Sequence, residues 1–127
     1  MPDEVFSPEL EFGSGCDLAI VSHQQRTVLL VEVKRSSLSW SDTQKAIRQL
    51  GESEDRLRTR YSGYRFEKSL VHDKRKGCST YAMAVPLLES AGVRYLNTAH
   101  SKKAKRLRNL YLRMRRRREK EGSKPGA

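Results

Sequence analysis

Cysteine is nearly missing from this chain. Cys16 and Cys78 are its only two, too few for a disulfide scaffold and without zinc-ligand spacing. A reducing, intracellular setting follows as the expectation: the nucleus in a eukaryote, the cytoplasm otherwise. Histidine is as scarce, and His23, His72 and His100 show no metal spacing with the cysteines. No run of eighteen apolar residues occurs, which excludes a membrane-spanning helix, and no membrane partner is expected. The opening residues MPDEVFSPELEFGSG hold no basic region followed by an apolar stretch, so no secretory signal is expected either. Gly13-Ser14-Gly15 is too short for a phosphate loop and reads as a turn.

What is abundant is positive charge. The 127 residues, enough for one domain, carry a net charge of +11. Residues 1–99 hold 14 Lys/Arg against 13 Asp/Glu, whereas residues 100–127 hold 12 against 2. The basicity is therefore a C-terminal stripe attached to a nearly neutral body. Such a stripe attracts polyanions, nucleic acid first among them. We divide the chain into a core over 1–99, a basic helix over 100–121 and a tail over 122–127.

Hydrophobic patterning supplies the elements. Val5-Phe6 and Leu10 to Phe12 suggest a short strand interrupted at Pro8. CDLAIVS (16–22) and TVLLVEVKR (27–35), joined by a short polar link, read as a β-hairpin. From Ser39 the period changes: Trp40, Thr43, Ile47, Leu50, Leu57 and Tyr61 form a helical stripe, with Ser41 and Gln44 fitting a capping box. Residues 62–79 read as a basic loop, 80–88 as a strand stopped by Pro86, and 93–97 as a further strand. The last helix, 101–120, carries Ala104, Leu107, Tyr111 and Met114 as an apolar seam. The order predicts an α/β (α+β) fold, a small sheet with helices packed on it.

The hairpin carries the chemistry. A turn centred on Gln24-Gln25 pairs residues whose numbers sum to 49, so Asp17 faces Glu32. Lys34 projects from the same surface, followed by Ala19, Val21, Val28 and Leu30, while Leu18, Ile20, Leu29, Val31 and Val33 occupy the other. Two apolar surfaces predict a hairpin interior to the sheet and covered on both sides. Opposed carboxylates there repel one another and are costly to bury. Lys34 can neutralise one, and a Mg²⁺ ion (or Mn²⁺ in its place) held by Asp17 and Glu32 the other.

CDLAIV, then LLVEVK with fourteen residues between Asp17 and Glu32, then a helix with TQKAIRQL resembles the PD-(D/E)XK nuclease superfamily, in particular resolvases of Holliday junctions, RecB-type nucleases and NERD-like domains. The resemblance implies a restriction-endonuclease-like mixed sheet with a central hairpin flanked by helices, and Mg²⁺-dependent hydrolysis of DNA phosphodiesters. It implies Asp17 and Glu32 as metal ligands, Lys34 as the lysine that positions or activates water, and Gln44 as a glutamine beside the site; for Gln44 the capping box stays open as the other role. Cys16 stands where the family name has proline. The family core begins with a helix carrying a glutamate, for which the residues before Asp17 leave no room; Glu9 or Glu11 is the substitute, and a homodimer a way to complete the core. DNA is the expected partner, held by Lys102, Lys103, Lys105, Arg106, Arg108, Arg113, Arg115, Arg116, Arg117 and Arg118. The alternative is a non-catalytic nucleic-acid-binding module on a degenerate nuclease fold.

Overall fold

The computed structural model of the protein describes residues 3–122. The chain runs β1 (Glu4–Phe6), α1 (Pro8–Phe12), β2 (Leu18–Ser22), β3 (Thr27–Lys34), α2 (Trp40–Leu57), β4 (Arg65–His72), α3 (Ala84–Ser90), β5 (Val93–Asn97) and α4 (Lys102–Gly122). The strands form one mixed sheet in the order β1-β2-β3-β4-β5. β1, β2 and β3 run antiparallel, and β4 and β5 continue the sheet in parallel with β3. The parallel pairs need crossovers, which α2 and α3 supply. This is the α+β class that the order of elements predicts. The tail expected over 122–127 lies, Gly122 apart, outside the described residues.

The hairpin has the predicted register: Leu18 pairs with Val31, Ala19 with Leu30 and Ser22 with Thr27. β2 lies between β1 and β3, and β3 between β2 and β4, so the hairpin is interior. Its two surfaces feed two cores. Ala19, Val21, Val28 and Leu30 pack with Leu50 and Leu57 of α2 and Leu88 of α3. Leu18 and Val31 pack on the opposite side with Val71, Leu96, and Ala104 and Leu107 of α4. The seam of the basic helix is thus what holds it to the sheet.

Four expectations need correction. Residues 65–72 are not loop but β4; its outer half alternates Arg65 and Glu67 into solvent, where they pair at 3.2 Å, and only Ser69 to His72 are fully buried. Charge on the exposed half masks a strand whose neighbours on both sides fix it in place. Residues 84–90 are a helix, because Pro86 falls in its first turn, where the missing N–H has no intrahelical partner to lose. The residues before β2 hold a short helix, not a second strand segment: Ser7 is its N-cap, Pro8 follows in the first turn, and Gly13 closes it at φ 81°. Finally, α2 is capped by Ser39 with Asp42, not by Ser41 with Gln44. The Ser39 side chain accepts from Asp42 N–H at 3.1 Å, and Ser39 N–H donates to Asp42 Oδ2 at 3.0 Å. Trp40, taken as the start of the apolar stripe, is 56% exposed.

Candidate active site

The backbone ladder of the hairpin stops at Leu18 and Val31, and two carboxylates extend it by one more rung. Asp17 N–H donates to Glu32 Oε1 at 3.1 Å, and Val33 N–H donates to Asp17 Oδ2 at 2.8 Å. Each side chain thereby satisfies a backbone donor of the opposite strand, a buried group that would otherwise lack a partner. Gly15 makes the approach to this rung possible. It sits at φ 114° against α2, where a Cβ would come within 2.6 Å of Ser53 Oγ, the oxygen that accepts from Cys16 N–H at 2.8 Å. The turn therefore locks Cys16 and Asp17 to α2.

Asp17 and Glu32 open onto a cavity of about 300 Å³ at the end of the sheet. It lies beyond the carboxyl end of β3, the place where open sheets with parallel strands offer ligands a crevice. Lys34, Asp42, Lys45 and Gln49 line it from the β3–α2 side, Glu9 from α1, and Tyr111 and Arg115 from α4. Four elements, α1, β3, α2 and α4, thus wall in the carboxylate pair.

Burial dominates the electrostatics. It raises Glu32 to about 9, with the charge of Asp17 as the next cause, and raises Asp17 to about 7. Glu9 pushes Asp17 further in the same direction, by hydrogen bonding and by charge. Burial thus makes the two carboxyls hold protons where ordinary carboxylates have lost theirs. Lys34 does not relieve the pair directly: its ammonium pairs with Asp42 Oδ1 at 3.2 Å, and Asp42, whose hydrogen bonds from Ser39 and Lys34 outweigh its small burial, is held below the usual carboxylate range. Across the cavity Arg115 donates to Tyr111 Oη at 3.1 Å and covers the ring at 5.7 Å.

Asp17, Glu32 and Lys34 are therefore brought together on one cavity wall. Gln44 is not: it is exposed on α2 and lines neither cavity nor cap. Gln49 occupies the position on the cavity side, since Asp42, Lys45, Ala46 and Gln49 share one helix face by their spacing. Of the basic residues of α4, Lys102, Lys105, Arg106, Arg113, Arg116, Arg117 and Arg118 are exposed and Lys103 is half-buried. Arg115 is exposed yet reaches the main cavity, and Arg117 and Arg118 border a second one of about 230 Å³ against α1. Arg108 is committed elsewhere, to Asp73 Oδ1 at 3.0 Å. Lys45, Gln49 and Tyr111 are the site residues that the sequence reading missed, and the helical phase of α2 finds Lys45 and Gln49; of the two substitutes expected for the family's glutamate, Glu9 lines the main cavity and Glu11 does not.

The donor set suits a hard divalent cation, which binds through one or two carboxylates and completes its shell with water and phosphate oxygen. With the Lys34 ammonium held by Asp42, such an ion is a natural complement of the largely desolvated Asp17 and Glu32. Among the described residues no group of three or more His, Cys, Asp or Glu side chains is arranged to hold a metal, so Glu9 does not complete a ready-made cage. No helix among them is long and apolar enough to cross a membrane. Comparison with models of protein families, with curated proteins and with solved structures finds no match to this chain.

Proposed function

We propose that the protein is a metal-dependent DNA endonuclease of the PD-(D/E)XK type, with Asp17 and Glu32 as the ligands of Mg²⁺ or Mn²⁺. The observation that carries this reading is the rung itself: the buried carboxylate of Asp17 and the half-buried one of Glu32, from paired segments, each pinned by the other segment's backbone, opening onto a cavity bordered by cations. Bound there, the ion would lower the pKa of a water and offset charge growing on a phosphoryl oxygen. The residues of the chain supply the rest. Lys34, freed from Asp42 or sharing it, is placed to orient the attacking water. Lys45 and Arg115 offer charge to a phosphate entering the cavity, and the exposed arginines of α4 hold the flanking backbone without reading sequence. The short α1 brings Glu9 to the cavity, where it can stand in for the glutamate that the family resemblance implies.

The second reading, a nucleic-acid-binding module without cleavage, is favoured by one contact: the Lys34 ammonium rests on Asp42. An assay for nicking and linearising plasmid DNA separates the two. Wild type should cleave with Mg²⁺ or Mn²⁺, and Glu32→Ala should bind DNA as well and not cleave it. Equal binding with no cleavage by either protein would leave only the second reading.

A further inference from the structure

The carboxyl ends of β3 and β4 carry a second feature, separate from the carboxylate rung. The segment entering α2 and the segment leading to α3 are sewn together there. Leu38 bridges Thr80 in parallel, Leu38 N–H donates to Ser79 O at 2.9 Å, and Tyr81 N–H donates to Leu38 O at 2.7 Å. Just past this bridge stand Trp40 on one segment and Tyr81 and Met83 on the other, 56%, 37% and 50% exposed. Single exposed apolar residues are ordinary, but three large ones gathered by one backbone bridge are not. Trp40 and Tyr81 join no ring stack or cation–π contact among the described residues, so both π-faces lack an intramolecular partner.

The same end is cationic. The turn after β4 presents Lys74, Arg75 and Lys76, all exposed and none in an ion pair among the described residues. The acid of that turn, Asp73, faces inward, held by Arg108 and by Arg35 Nε at 3.6 Å. Ser79 N–H donates to Ser37 Oγ at 2.9 Å, which folds this basic turn back beside the bridge. Leu38, the bridging residue, also lines the carboxylate cavity. Aromatic faces, unneutralised cations and the candidate catalytic wall are thus continuous. Duplex DNA offers phosphates but keeps its base faces stacked inside; only an unpaired strand presents both of the things this surface complements.

We propose that the surface formed by Trp40, Tyr81 and Met83, flanked by Lys74, Arg75 and Lys76, stacks the bases of an unpaired DNA strand and leads that strand to the cavity of Asp17 and Glu32. The substrate class is then DNA with a single-stranded segment, such as a flap, a splayed arm or an overhang. For the identity of the polymer and for the cavity's role the proposal rests on the nuclease reading, but the platform is testable without cleavage.

Trp40 is the only tryptophan in the chain, so its emission reports on this surface alone. With divalent metal chelated, an oligothymidylate of about twenty nucleotides should quench that emission saturably, and a blunt duplex of the same length should not. Trp40→Ala should weaken oligothymidylate binding by roughly tenfold or more, the size of one lost base–aromatic stack, when followed through a dye on the oligonucleotide. Trp40→Phe should retain most of the affinity, and duplex binding should change little in either variant. Unchanged emission at saturation, wild-type affinity in Trp40→Ala, or equal weakening for duplex and single strand would overturn the platform. Cleavage bears on the other reading: quenching and a Trp40→Ala defect in a protein that cuts no DNA would leave the platform standing and remove the nuclease.

Discussion

Asp17→Asn probes the rung more sharply than loss of activity can. In the folded chain burial raises both Asp17 and Glu32, Glu9 raises Asp17 further and the charge of Asp17 raises Glu32 further, so ionising the pair works against folding. The sign follows. Below the unfolded carboxyl values, near 4, both groups are protonated folded or unfolded, and the stability is fully present. As pH climbs through the raised folded values, the unfolded chain gives up its protons first and stability is lost. Two charges on opposed positions about 5 Å apart, at an effective dielectric constant of about 20, repel by about 3 kcal/mol. Asparagine removes that repulsion, and its Oδ1 can still accept from Val33 N–H as Asp17 Oδ2 does at 2.8 Å. With metal chelated, Asp17→Asn should therefore match wild type near pH 3, below the unfolded carboxyl values, and exceed it by about 2–3 kcal/mol at pH 9.

Urea unfolding at several pH values measures this directly, provided the slopes agree between the two proteins. Lysines, tyrosines and cysteines titrate in both, so the difference isolates the pair. Millimolar Mg²⁺ or Mn²⁺ should then raise the stability of wild type and leave Asp17→Asn unmoved, because an ion that binds only the folded state stabilises it by mass action. A variant less stable than wild type at every pH would refute the reasoning. It would mean that the carboxylates are ionised partners in a structural ion pair and gain from charge instead of suffering from it.

Two further outcomes follow from residues outside the rung. Reversing Arg115, Arg116, Arg117 and Arg118 to glutamate should lower DNA affinity and reduce the slope of log K against log salt by about 3–4, if all four meet phosphates; an unchanged slope in a salt titration by anisotropy would remove α4 from the interface. Asp73 ties β4 to α4 through Arg108, accepts from Thr98 Oγ1 at 3.0 Å, and is held low because those partners and Arg35 outweigh its burial. Its contribution is present above the unfolded value and lost as pH falls through the folded one, so Asp73→Asn should cost about 2–3 kcal/mol at pH 7 and nothing near pH 2. A deficit that persists in acid would assign the loss to packing and not to charge.

How much of this was written in the residues differs from element to element. The hairpin register was legible because both strands alternate apolar residues on two surfaces, and a one-residue slip would exchange the surfaces. Its turn was not, since no Asn-Gly marks it; Arg26 takes the left-handed conformation at φ 54°, its carbonyl accepting from Arg65 N–H at 2.9 Å and its guanidinium lying over Tyr64 at 5.5 Å. Those stabilising contacts come from thirty-odd residues away. The β4 strand was hidden for a related reason. A strand inside a parallel sheet is expected to be apolar throughout, but Arg65, Glu67 and Lys68 are charged, and Lys68 finds its partner in Glu54 of α2 at 3.1 Å. The α2 cap was ambiguous locally, because Ser39 with Asp42 and Ser41 with Gln44 both fit the pattern two residues apart; Gln44, given a place beside the site by the resemblance and a place in the cap by its spacing, fills neither.

The candidate site divides along the same line. Asp17, Glu32 and Lys34 were visible because they break a pattern: charges placed where two doubly covered strands ought to continue apolar. Such a break demands compensation, and its nearest sources lie on the hairpin itself. The walls break no pattern. Glu9 belongs to a five-residue helix whose acids suit any first turn, and Tyr111 and Arg115 belong to a helix that is basic nearly everywhere. Tyr111 and Arg115 become site residues only because α4 packs across the sheet through Ala104 and Leu107 and carries its following turns to the cavity. Apolar contacts remote from the chemistry thus decide which of many equivalent arginines faces the carboxylates. The basic stripe and the acidic rung, two separate signals in the sequence, are parts of one cavity for that reason.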